Sequence, residues 1–183
     1  MINWAHISLR DFAGFISEEL RNRGVDTILV GGACVTIYTA NRYQSYDLDY
    51  VTYEDLRNVK KILTELGFTE KQKYFQHKDC PWLIEFVSPP VAVGAEFVTH
   101  FNNVKTPLGT IKMLLPIDSV KDRLASFYHW GDKMSLDQAV NICIDQKIDF
   151  DNLEEWSRHE KCEEKFKIFK MLFKNKCETQ EQK

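Results

Sequence analysis

The sequence predicts an α/β (α+β) protein, a mixed sheet flanked by helices with a small helical subdomain at the carboxy-terminal end. Three observations predict it. Over residues 1–115, apolar residues at helical spacing take turns with short stretches that alternate like strands. From Pro116 onward the patterning is helical throughout. Hydrophobic residues make up 44% of the 183 residues and charged residues 28%, the balance of a globular chain with a sizeable core. The reading therefore divides the chain into an α/β domain, 1–115, and a helical subdomain, 116–183.

In chain order, "SLRDFAGFISEELRNRG" places Leu9, Phe12, Phe15, Ile16 and Leu20 on one helical face, with Ser8 to cap the start and Gly24 to end it. "TILVGG" is a short apolar strand, and "ACVTIYTAN" returns as a helix whose first turn abuts Gly31 and Gly32. "YDLDYV" alternates strictly, with Tyr46, Leu48 and Tyr50 on one face of a strand. "YEDLRNVKKILTELG" is a helix that ends at Gly67. Strands follow at "KYFQH" and "WLIEFV", then a hairpin at "NNVKTPLGTIKMLL" that turns at Pro and Gly. "DSVKDRLASFYHW", "SLDQAVNICIDQ" and "NLEEWSRHEKCEEKFKIFKMLFK" are all helical, and "CETQEQK" is a frayed tail.

Several classes are excluded. A net charge of −3 supplies no overall field for nucleic acid, so RNA binding needs a local basic patch. The five cysteines are odd in number, widely spaced and without a Cys-x-x-Cys pair, which fits neither a disulfide framework nor a zinc ribbon. The histidines are dispersed and predict no zinc site. There is no secretory signal pattern and no apolar run of membrane-spanning length, so a reducing cytoplasm is the expected compartment and no membrane partner is expected.

The chemistry sits around "YDLDYV". Asp47 and Asp49 are two apart on a strand, so both side chains project from the same face, with Cα atoms roughly 6.5 Å apart. Two such carboxylates repel unless a cation lies between them, and Mg²⁺ favours oxygen donors of this kind. Gly31 and Gly32, between a strand and a helix, let backbone N–H groups approach a phosphate, and Ser45 can add a hydroxyl. Glu85, in the apolar strand "WLIEFV", is a third acid that needs a metal or a partner, either Arg42 or an exposed lysine. Lys121 and Arg123 can reach phosphate or remain solvated, and Asp137 either orients them or is an ordinary acid near a helix start. Asp-x-Asp and Gly-Gly are common by themselves. The alternative for Asp47 and Asp49 is a solvated edge strand.

Together these residues resemble the nucleotidyltransferase fold of the DNA polymerase β superfamily. The matching pattern is "GGA" at Gly31–Ala33, "RYQSYDLDYV" at Arg42–Val51 and the acid Glu85, within a likeness that runs from about Asp26 to Val140. Inside that superfamily it is similar to small bacterial toxin enzymes of the AbiEii and MenT type. The resemblance implies transfer of a nucleoside monophosphate from an NTP, ATP among them, to a hydroxyl of RNA, tRNA among them, or protein. Mg²⁺ or Mn²⁺ is the implied cofactor, held by Asp47, Asp49 and Glu85, with Glu85 alternatively acting as base. Gly31, Gly32, Ser45 and Lys121 or Arg123 are implied to bind the nucleotide. A cognate antitoxin is an implied partner, in a toxin–antitoxin or phage-defence system. Ala33 stands where the family usually has serine, which opens an alternative: a catalytically weakened module of the same fold that binds nucleotide or protein.

Overall fold

The computed structural model describes residues 2–181, and the last two residues of the expected frayed tail lie outside them. A single turn of 3₁₀ helix at Trp4–His6 precedes helix α1 (Leu9–Arg21). Ser8 caps α1 by accepting from the Asp11 N–H. Strand β1 (Ile28–Val30) leads directly into α2 (Gly31–Tyr38), and β2 (Asp47–Val51) into α3 (Leu56–Glu65). Then come β3 (Thr69–Lys71), β4 (Tyr74–Gln76), β5 (Leu83–Val87), the two-residue strands β6 (Ala92–Val93) and β7 (Glu96–Phe97), and the hairpin β8 (Phe101–Thr106) and β9 (Gly109–Leu114). Helices α4 (Pro116–Trp130), α5 (Lys133–Asp145), α6 (Phe150–His159) and α7 (Glu163–Glu181) complete the chain.

The main sheet has seven strands in the order β3-β4-β5-β2-β1-β9-β8. It is mixed: β2 runs antiparallel to β1 and parallel to β5, while β1 and β9 are parallel. This order puts the aspartate strand in the interior of the sheet, flanked on both sides, which removes the solvated-edge alternative. The edges are β3 and β8. Helix α1 lies on β8 and β9, α2 on β1 and β2, and α4 and α5 pack on α2. A continuous apolar core follows, from Phe12, Ile16 and Leu29 through Leu48, Tyr50 and Met113 to Leu124, Ile142 and Trp156. Tyr50 fixes α1 to the sheet by donating to the Ala13 carbonyl and pairing with the Ser17 hydroxyl.

Three sequence expectations need correction. The carboxy-terminal run is two helices, because Lys161 adopts a left-handed φ of 57° and stops α6. The expected break between α4 and α5 falls at Gly131, at φ 70°. Asp137 lies inside α5, whose cap is Asp132. Helix α7 continues to Glu181 and takes in Cys177–Glu181, part of the segment expected to fray. Strand β3 and the β6–β7 pair were not anticipated: "TEK" is polar on both faces and exposed, and two-residue strands are too short to show a period. Among the described residues, no helix is long and apolar enough to cross a membrane.

Candidate active site

Strand register assembles the acids. Asp49 lies opposite Val30 of β1 on one side and Glu85 of β5 on the other, and Asp47 is two residues away on the same face. Leu48 and Tyr50, fully buried, anchor β2 through the opposite face. Carboxylate oxygens of Asp47, Asp49 and Glu85 all lie within 4.8 Å of one another. No hydrophobic reason exists to hold three acids so close.

The glycines complete the arrangement in different ways. Gly31 has φ +67°, a conformation that strains any residue with a Cβ, and a Cβ there would stand 2.3 Å from Asp49 Oδ2. The start of α2 thus rests against the carboxylate itself. Its first turn has no side-chain cap, so backbone N–H donors there are open to an anion. A Cβ on Gly32 would meet Ser45 Oγ at 3.0 Å, a tight approach at an ordinary backbone conformation. Ser45 is held by Thr36, whose hydroxyl accepts from the Ser45 N–H at 2.9 Å. The Ser45 hydroxyl donates to Asp47 Oδ1 at 3.0 Å, so in this structure it orients a carboxylate.

Charge around the cluster is only partly balanced. Asp49 is pushed up to about 7, first by burial, then by the charges of Asp47 and Glu85, with Arg123 working the other way. Glu85 meets the Nζ of Lys73, an exposed lysine in the turn before β4, at 2.8 Å. The hydrogen bond to Glu85 pushes Lys73 up from the usual lysine range. Arg42 pairs instead with Asp145, at 2.9 Å.

The two basic residues of α4 separate. Arg123 is mostly buried, is bound to Asp122 Oδ2, and contributes charge felt by Asp49. Burial pulls Arg123 down, but the charge and hydrogen bond of Asp122 more than offset it, helped by Cys34 and Asp49. Lys121 turns to Glu96 Oε2 of β7 at 2.9 Å and lies over the Trp156 ring. Its side chain is 8% exposed, and it is not among the groups that act on Asp49. The structure therefore brings Asp47, Asp49, Glu85, Gly31, Gly32 and Ser45 together, with Arg123 in electrostatic reach and Lys121 engaged elsewhere. Sequence reasoning anticipated an exposed lysine on Glu85 without identifying Lys73, and it missed Asp122. Lys73 lies in an unrecognised hairpin, and Asp122 was hidden between two basic residues.

No family model matches the sequence, and none of the curated proteins matches it. Among solved structures, an antigenic nucleotidyltransferase-like protein from Paracoccidioides brasiliensis superposes on 73% of this chain and 74% of its own with a TM-score of 0.57. The fold is nucleotidyltransferase-like. Identity to that protein is 12%, so the likeness is one of architecture. The solution structure of the antibiotic-resistance factor ANT(2'')-Ia covers 95% of both chains at 12% identity, with a TM-score of 0.47.

Proposed function

We propose that this protein is a Mg²⁺- or Mn²⁺-dependent nucleotidyltransferase that moves a nucleoside monophosphate from an NTP to a hydroxyl of an RNA, tRNA included, or of a protein. The observation that carries the reading is the convergence of Asp47, Asp49 and Glu85 beside the uncapped start of α2. The donor set fits a hard divalent cation, since all three are carboxylates and Asp49 resists ionisation without a counter-charge. When bound, such an ion would neutralise phosphate charge and favour the ionised acceptor oxygen.

The chain's own residues do the remaining work. Gly31 and Gly32 bring the α2 N–H groups to the triphosphate, and Ser45 keeps Asp47 in place. The acceptor oxygen bonds to the α-phosphorus as the α–β bridging bond breaks and pyrophosphate leaves. Glu85 completes the cation's donor set or takes the acceptor's proton, and either role requires Lys73 to release its Oε2. Arg123 supplies positive charge on the α4 side of the site.

The likeness to AbiEii- and MenT-type toxins in the motif extends the proposal to a toxin held in check by a cognate antitoxin. Ala33 does not favour the weakened-module alternative. It is fully buried in the core, so a hydroxyl there would face apolar neighbours. The test is pyrophosphate release from each NTP with Mg²⁺ or Mn²⁺ and a cell lysate as acceptor source. Asp47→Asn should lower release by at least about 100-fold. Binding without release would favour the module, and absence of any cation-dependent NTP binding would overturn both readings.

A further inference from the structure

Asp122 connects the carboxylate site to a second feature. Besides holding Arg123 and acting on Asp49, it lines a cavity of roughly 550 Å³ between the turn joining β6 to β7 and the outer face of α4. That volume suits a nucleoside-sized ligand. One wall is rigid: Glu160, whose side chain is only 7% exposed, accepts from the Ala95 N–H at 2.8 Å and from His129 Nε2 at 3.0 Å. Gly94 packs so closely that a Cβ would fall 2.3 Å from Glu160 Oε1. At the rim stands Trp130, 78% exposed. An indole so open to water, at the end of α4 and beside this cavity, meets the edge of the neighbouring His129 ring and keeps most of its surface free.

Resting on the nucleotidyltransferase reading, we propose that this cavity receives a nucleobase, stacked on Trp130. The indole offers a π face, and stacking a base on an aromatic ring is worth several-fold to about 100-fold in affinity. Arg123 binds Asp122 through Oδ2, which leaves Oδ1 as acceptor for an exocyclic amine. The Ser126 hydroxyl, also in the lining, can turn from the Asp122 carbonyl to a ring nitrogen or carbonyl. The base comes from the NTP or from the acceptor RNA, and both present the same chemistry.

The experiment titrates wild type, Trp130→Leu and Trp130→Phe with each NTP, with a short RNA lacking a triphosphate, and with inorganic tripolyphosphate. Tryptophan fluorescence and calorimetry are the readouts, with Mg²⁺ present. The proposal expects saturable quenching by NTP or RNA in wild type, loss of that quenching and about tenfold weaker binding in Trp130→Leu, and near-wild-type affinity in Trp130→Phe. Tripolyphosphate should bind all three alike. The ligand that loses affinity identifies the source of the base. Unchanged NTP and RNA affinity in Trp130→Leu overturns the subsite and leaves the catalytic reading intact. If no nucleotide binds any variant, the catalytic reading falls as well.

Discussion

Two groups of aspartates in this chain meet opposite fates. Asp132, at the start of α5, receives hydrogen bonds from the Ser135 hydroxyl and from the Ser135 and Met134 N–H groups, and these hold its carboxyl below the usual range. Asp55 and Asp149 cap α3 and α6 in the same manner. Such acids gain donors by folding and stabilise the helix they start. Asp49 gains two like charges and loses water. Folding makes its ionised form worse, and a protein keeps such a group where a ligand relieves it.

The most forceful way to break that contrast is pH. A carboxyl raised in the folded state stabilises the protein fully below its unfolded value, and that stabilisation is lost as pH rises toward the folded value of about 7. Measured as the difference between wild type and Asp49→Asn, the stability of cation-free protein should fall between about pH 4 and 7.5 by up to about 4 kcal/mol. Mg²⁺ or Mn²⁺ should restore stability at pH 8 and do little at pH 5. For Asp132→Asn the pH trend has the opposite sign, because its carboxyl is lowered. Parallel trends for the two variants would erase the distinction.

A second comparison pairs glycines. Gly31 and Gly24 both have strongly positive φ, +67° and +80°, but only Gly31 has a neighbour that a Cβ would strike, and that neighbour is Asp49. Alanine at either position should lower stability in chemical denaturation by about 1–2 kcal/mol. Gly31→Ala should in addition weaken divalent-cation binding at least tenfold by displacing Asp49, while Gly24→Ala leaves it unchanged. Equal cation affinity in the two variants would show that the start of α2 does not brace the carboxylate.

Glycine also marks where the sequence was readable. Helices α1 and α3 end in the same backbone pattern, with Gly24 and Gly67 left-handed and the next residue bonded back to Leu20 and Leu63. Helix α6 ends in that pattern too, but with Lys161 at the left-handed position and Cys162 bonded to Ser157. Nothing in a lysine announces a stop, so the break was invisible. The acids were legible because a two-residue spacing on a strand dictates a common face, and Glu85 because a charge in an apolar strand demands a partner. Lys73 and Asp122 were not, since their significance comes from strand pairing and helix packing across long stretches of chain. Lys121 illustrates the converse: its sequence position near Arg123 suggested a shared role, yet a two-residue step puts the two on different faces of α4 and directs them to Glu96 and Asp122.

Lys73 offers the smallest effect by which the capping acids and the clustered acids can be told apart. It is the one cation in direct contact with the cluster among the described residues, and it sits 61% exposed on Glu85. A capping aspartate keeps its donors permanently, because they belong to the backbone. Glu85 holds its partner through a long, hydrated side chain that exchanges easily with solvent. If the ammonium stands in for part of the charge a divalent ion supplies, the two compete for Glu85. Lys73→Met should then bind Mn²⁺ roughly two- to fivefold more tightly, the scale of an exposed ion pair, and the gain should shrink as salt screens the pair in wild type. Calorimetric titration at low and high ionic strength measures both effects. Weaker Mn²⁺ binding in the variant would mean that Lys73 organises Glu85 for the ion and does not contest it.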